Sequence, residues 1–249
     1  MSRFALAALV ALPLLAQDAR QIVAEAQKRQ QVKSQRYEGI LQVIDGTGKV
    51  ADKRWISERS GSWGDSKALM RFTSPPEVKG VSLLVVNHPD RASDQWMWIP
   101  SIGRDRRIAL QDRSTRFFGT DFSFEDLEER DVEQSDFKLL GDETADGVPC
   151  WKIEARPRKG KSSQYTQSIV WVRKDNYVTA RVESFQKEQL VRRLEYKQIE
   201  QVQGIWTPRI FEVTDVKRKS KTVMKLEKLM FNLPLKDSDF TVQALRREQ

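Results

Sequence analysis

The sequence predicts a mainly β fold: one curled antiparallel sheet forming an incomplete barrel of about eleven strands, with an N-terminal helix and a short central helix. Three observations predict it. Successive segments alternate apolar and polar residues with the period of two that a half-buried strand requires. The turns between segments are short, as at Asp146-Gly147, Lys174-Asp175-Asn176 and Gln203-Gly204, and short turns between sequential strands make antiparallel neighbours. Only two stretches read as helical, too few to cover the apolar face of so many strands. A curled sheet left underfilled either holds a ligand or is plugged by its own loops.

Met1-Ser2-Arg3 is a short basic start, and Phe4 to Ala16 is almost wholly apolar around Pro13. With Leu14-Leu15-Ala16 before Gln17, this reads as a secretory signal peptide over residues 1–16, too short for a comfortable membrane span; the alternative is an uncleaved membrane anchor. Residues 17–249 then form a single exported domain. The only cysteine, Cys150, rules out an intramolecular disulfide. It also lies far from the cleavage point, which argues against a lipid anchor there.

Asp18 to Ser34 is helical in pattern. Asp18 is placed to cap, Ile22, Val23 and Ala26 form the apolar stripe, and Lys28, Arg29 and Lys33 suit the C-terminal end of the dipole. From Arg36 the period changes to two. Gly46-Thr47-Gly48 turns a hairpin into the strand from Val50 to Ser57. Ala68 to Thr73 is a further strand, ended by Pro75-Pro76. Val81 to Asn87 is a continuous apolar run, and Gln95 to Ile99 puts Trp96 and Trp98 on one face. Arg104 to Leu110 leads away. The C-terminal half alternates again; in Cys150 to Pro157, Trp151, Ile153 and Ala155 oppose Lys152, Glu154 and Arg156.

The anomaly is the stretch from Arg116 to Leu127, which puts Phe117, Phe118, Phe122 and Phe124 into a loop entering a short helix at Phe124–Glu129, with Ser123 as its cap. A polar connection has no local use for so much apolar area, since each ring is worth about 1.5–3 kcal/mol when buried. These rings are therefore expected to act as a lid or plug on the barrel.

Trp98-Ile99-Pro100-Ser101, Arg104-Asp105-Arg106-Arg107-Ile108 and the block from Phe117 to Leu127 resemble the outer-membrane lipoprotein-sorting protein family. That family is similar to the periplasmic lipoprotein carriers LolA and LolB. The resemblance covers nearly all of the chain after residue 16. It implies an incomplete barrel with a hydrophobic cavity, acyl chains of lipids or lipoproteins as ligands, and a periplasmic location. It also implies a partner among membrane exporters of the resistance-nodulation-division type, and it brings no catalytic residues.

The candidate cavity and lid residues are Trp55, Leu83, Val85, Trp96, Trp98 and the four phenylalanines, with Trp151, Ile169 and Trp171 from the later strands. Arg104, Arg106, Arg107 and Arg116 are the candidate rim for an anionic headgroup, since guanidinium binds phosphate and carboxylate well. The alternative for the arginines is a solvated hairpin paired with the acidic cluster nearby. That cluster, Glu125, Asp126, Glu128, Glu129, Asp131 and Glu133, reads as the solvated face of a capped helix.

Chemistry points away from catalysis. His88 is the only histidine, which excludes multi-histidine metal sites, and no phosphate loop or nucleophile motif is present. No metal and no cofactor are expected. A formal charge of +8, from 43 basic and 35 acidic residues, favours anionic partners. For an exported chain these are lipid headgroups met in transient membrane contact, rather than nucleic acid. Two readings remain: a periplasmic carrier that shields acyl chains, or a periplasmic interaction or sensor module whose cavity is self-filled. An exported hydrolase using the acidic cluster is a distant third.

Overall fold

The structure, a computed structural model, describes residues 18–247; the predicted signal peptide lies outside the described residues. It opens with α1, Ala19–Arg29, whose Asp18 carboxylate accepts from Arg20 N. Ile22, Ala19 and Ala26 pack against Ile153 and Val172. The helix stops short of the predicted Ser34 because a strand takes over. Ser34 O accepts from Asn232 N at 2.9 Å, and Ser34 Oγ donates to Leu233 O at 2.7 Å. Among the described residues no helix is long and apolar enough to cross a membrane.

The strands are β1 Ser34–Ile44, β2 Val50–Ser62, β3 Asp65–Ser74, β4 Ser82–Asn87, β5 Asp94–Ile99, β6 Arg104–Arg107, β7 Ser135–Ala145, β8 Val148–Pro157, β9 Gln167–Arg173, β10 Thr179–Gln186, β11 Gln189–Val202, β12 Ile205–Asp215 and β13 Ser220–Phe231. All join one antiparallel sheet in the order β6-β5-β4-β3-β2-β1-β13-β12-β11-β10-β9-β8-β7. The predicted incomplete barrel is present, with thirteen strands where about eleven were expected; β6 had read only as chain leading away. Asp146-Gly147 and Gln203-Gly204 both place two residues at positive φ, the geometry that lets a two-residue hairpin follow the sheet twist.

This topology fixes where the Phe-rich segment goes. Each strand pairs with its sequence neighbour except at the seam, where β1 meets β13. The seam holds a bulge at Glu38/Gly39, and a Cβ at Gly39 would lie 1.9 Å from Lys225 O, so only glycine fits. The two edges, β6 and β7, are consecutive in sequence but at opposite ends of the sheet. The chain between them, residues 108–134, must cross the sheet's inner face.

Period-two alternation then sorts the side chains between the two faces of the sheet. On the inner side Leu83, Val85, Phe72, Trp55, Leu41 and Met224 join Phe117, Phe122 and Phe124 in the main core. On the outer side, Leu69 and Leu84 are covered by Phe240, Ala244 and Leu245 of the C-terminal segment. That segment is pinned where Arg71 Nη2 donates to Ala244 O at 2.7 Å and Ser82 Oγ donates to Leu245 O at 2.7 Å.

Candidate functional site

The crossing segment begins with a tight turn. Phe117 N donates to Phe122 O at 2.8 Å, while Phe118 and Gly119 take φ of 43° and 75°. The Arg116 guanidinium closes the turn, donating to Thr120 O at 2.6 Å, Gly119 O at 2.9 Å and the Asp121 carboxylate at 2.9 Å. Phe117 is thereby driven inward and stacks on Phe72 with centroids 5.5 Å apart. Phe124 meets Phe117 edge-on at 5.8 Å. Phe118 is half-buried at the tip, where its carbonyl accepts from Lys53 Nζ at 2.7 Å.

Glu125, Asp126, Glu128 and Glu129 anchor this segment, with Asp121, which corrects the expectation of a solvated helix face for these four; Glu133 is exposed. The predicted helix is a single 3-10 turn, Glu125–Leu127, so it has no outward face of its own. It runs inside a curled sheet, and its carboxylates meet cations from both walls. Asp121 is fully buried and accepts from Ser220 Oγ at 2.6 Å and Thr222 Oγ1 at 2.8 Å on β13. Asp126 accepts from Tyr165 Oη at 2.7 Å and pairs with Arg192 of β11. Glu128 takes Gln95 Nε2 of β5 at 2.8 Å and Arg113 at 2.9 Å. Glu129 takes Arg59 of β2 at 2.5 Å and Ser66 Oγ of β3 at 3.0 Å. Glu125 pairs with Arg130 and accepts from Gln164 N at 2.9 Å. Ser123 does what was expected, its hydroxyl accepting from Asp126 N at 3.3 Å.

Between the segment and the sheet remains a cavity of about 400 Å³, within the range of small-ligand sites. Its sheet wall holds Tyr37, Trp55, Met70, Leu194, Phe211 and Met224 with Arg59 among them; Phe122 and Leu127 face them from the segment, with the charged Asp126, Glu128, Glu129 and Arg130 beside them. Trp63, Ile205 and Trp206 line its far end, where Trp206 is exposed. Burial pushes the Tyr196 phenol on its wall up to about 12 and raises that of Tyr37 as well, so both stay neutral donors. Two further donors on this wall, Trp55 Nε1 and Arg59 Nε, are buried without a hydrogen-bond partner. A larger depression, about 540 Å³, sits by β6 between Arg91 and Arg113. Its walls are loop residues and the Asp94 ion-pair cluster, so we take the cavity under the segment as the candidate site.

The candidate residues divide accordingly. Trp55 and Phe122 line the cavity. Phe117, Phe124, Leu83 and Val85 are solid core beside it. Trp151 is on the inner face but lies under α1, with Tyr177 at 5.0 Å. Trp96 and Trp98 are on the outer face beneath the C-terminal segment, with Arg107 and Arg246 over their rings. Ile169 and Trp171 are also on the outer face, with Cys150 and Ala180. Ring size suggested these tryptophans; face is set by register, which pairs Trp96 with Leu84 and leaves Met97 inward. The residues not anticipated, Tyr37, Met70, Leu194, Tyr196 and Phe211, sit at alternate positions of their strands. That alternation was the available signal.

The arginines do not form one rim. Arg116 closes the turn. Arg104 is exposed on the edge strand, Arg106 pairs with Asp112 at 2.7 Å and Arg107 with Asp94 at 2.5 Å. Asp94 also takes Arg91 at 2.6 Å and His88 at 3.0 Å. Burial alone raises its pKa, but these three bonds outweigh it and hold the carboxyl well below its ordinary 3.8. A depressed carboxylate stabilises the fold fully above its unfolded value, and that stability is lost as pH falls through the folded one. Urea midpoints of Asp94→Asn are therefore expected to lie below wild type at pH above about 4 and to converge with it in stronger acid.

A family described as "uncharacterized protein" has a sequence model that matches residues 64–247. No curated protein matches the chain. Among solved structures, a domain from Vibrio parahaemolyticus described as an outer membrane lipoprotein-sorting protein superposes with TM-score 0.87 at 25% identity, covering 92% of this chain and 98% of its own. A DUF1329 family protein from Desulfovibrio piger gives TM-score 0.87 at 28% identity, covering 91% and 97%. A LolA superfamily protein from Nitrosomonas europaea gives 0.73 at 18% identity, covering 92% and 100%, and so shares the fold. The chain belongs to the family whose model it matches, and its fold is that of the LolA-like outer-membrane lipoprotein-sorting proteins.

Proposed function

We propose that this chain is a periplasmic carrier that shelters an acyl chain of a lipid or lipoprotein in the cavity between the crossing segment and the sheet. The observation that carries the reading is the cavity itself. Three phenylalanines are buried in the interior, yet about 400 Å³ stays open between Phe122 and a mainly apolar strand wall. Each methylene sheltered there contributes about 0.8 kcal/mol, so a partly sheathed chain binds usefully without covalent chemistry. The unpartnered donors Trp55 Nε1 and Arg59 Nε suit a ligand that brings acceptor oxygens, as an acyl ester does. The lipoprotein-sorting description of the Vibrio relative supports the same reading.

Native mass spectrometry with lipid extraction tests it, together with uptake of a fluorescent fatty acid. Leu194→Arg is expected to lower uptake at least tenfold by placing a charge among Phe211, Met224 and Phe122, the apolar stretch of the cavity wall, about 1.4 kcal/mol or more. Trp171→Ala, on the outer face, is expected to leave uptake unchanged. A protein that is consistently empty and takes up no fatty acid overturns the proposal. The self-filled interaction module draws on the packed half of the interior around Phe117 and Leu83; it requires both variants to be equally silent in uptake.

A further inference from the structure

Two hairpin tips at one end of the sheet gather exposed cations, three of them unpaired lysines, around exposed valines. The β1–β2 and β12–β13 turns lie side by side because Ile44 faces Lys221 across the seam. They touch, since a Cβ added at Gly46 would sit 2.8 Å from Arg218 O. Lys49, Lys217, Arg218 and Lys219 are all exposed. Val50 and Val216 project among them at 52% and 39% exposure.

The neighbouring acids are already engaged in the turns. The Asp45 carboxylate accepts from Thr47 N at 2.8 Å, Thr47 Oγ1 at 2.6 Å and Lys49 N at 3.0 Å. Asp215 accepts from Arg218 N at 2.9 Å and pairs with the Arg218 guanidinium at 3.9 Å. Among the described residues, none of Lys49, Lys217 and Lys219 makes an ion pair.

We propose that this end of the sheet docks on the surface of an anionic lipid bilayer. A lysine near such a surface gains about 1 kcal/mol, and the attraction fades within about 10 Å at moderate salt, so cations at a protruding tip count most. Unpaired lysines break no ion pair on docking. The valines already stand bare in water and gain by entering the interface. A protein partner fits less well, because these tips offer lysines and small valines without the buried aromatic anchor on which protein interfaces centre. The surface adjoins the crossing segment's turn, as Asp121 binds Ser220 and Lys53 binds the Phe118 carbonyl. Docking does not depend on what the cavity holds.

Co-sedimentation of the purified protein with vesicles tests the proposal, comparing phosphatidylcholine alone with a phosphatidylcholine–phosphatidylglycerol mixture. Binding is expected only to the mixture and to weaken at high salt. Lys217→Ala/Lys219→Ala is expected to lower the partition coefficient by about fivefold per lysine. Val216→Asp is expected to lower it severalfold at unchanged thermal stability. Lys28→Ala/Lys138→Ala removes the same charge from α1 and β7, at exposed positions away from the tips, and is expected to bind like wild type. Equal losses in the two double variants, or no preference for the anionic vesicles, overturn it.

Discussion

Phe117→Ala is expected to lower the unfolding free energy by about 3–5 kcal/mol. The ring is 1% exposed, stacks on Phe72 and meets Phe118 and Phe124 edge-on. The void it leaves has little means of collapsing. Strands β3 and β4 are held by their ladder, and the turn carrying residue 117 is fixed through Asp121 to β13. The loss is both transfer free energy and an unfilled cavity. Urea unfolding measures it. Phe118→Ala, at the half-buried tip, is expected to cost about 1 kcal/mol. Equal costs for the two would mean that the turn does not direct one ring inward and leave the other at the surface.

Removing Glu129 is expected to be comparably damaging for a different reason. Arg59 is 5% exposed, and its guanidinium bonds Glu129 and the Gln35 side chain. Glu129→Ala leaves a buried cation without a countercharge, which costs about 3–5 kcal/mol. The double variant Arg59→Met/Glu129→Leu is expected to recover most of that loss, because it removes both charges and their desolvation together. A double-mutant cycle in urea reads the coupling. Because Glu129 also accepts from Ser66 and from Trp63 N, the single variant frees the crossing segment from β2 and β3. Fatty-acid uptake should change in Glu129→Ala more than its lost stability alone explains, since the cavity wall opposite the sheet is then loose. Additive single-variant losses would show that the pair does not act as a latch.

Most of the sheet was legible because its causes are local. Alternation at Trp151, Ile153 and Ala155 needs only the pleat, and Asp146-Gly147 needs only a turn that accepts positive φ. Phe117, Phe122 and Phe124 announced burial by their excess apolar area. The site was less legible. Trp96 and Trp171 alternate as cleanly as Trp55, but alternation does not say which of two faces is inside. The acidic run from Glu125 to Glu129 looks solvated in one dimension because its partners, Arg59 and Arg192, lie 70 and 66 residues away.

The sequence by itself determined that this chain alternates into antiparallel strands, that few helices cover them and that one connection is rich in phenylalanine. Each follows from a property of neighbouring residues: the pleat, the turn, the area of a ring. Only the tertiary structure decided that β1 pairs with β13. That seam makes β6 and β7 opposite edges and forces the Phe-rich connection across the inner face. It decided too that Phe117 and Phe124 fill one part of the interior while a cavity lined by Phe122 stays open beside them. Pairing over such separations depends on the summed packing of both partners, a quantity that no local pattern contains.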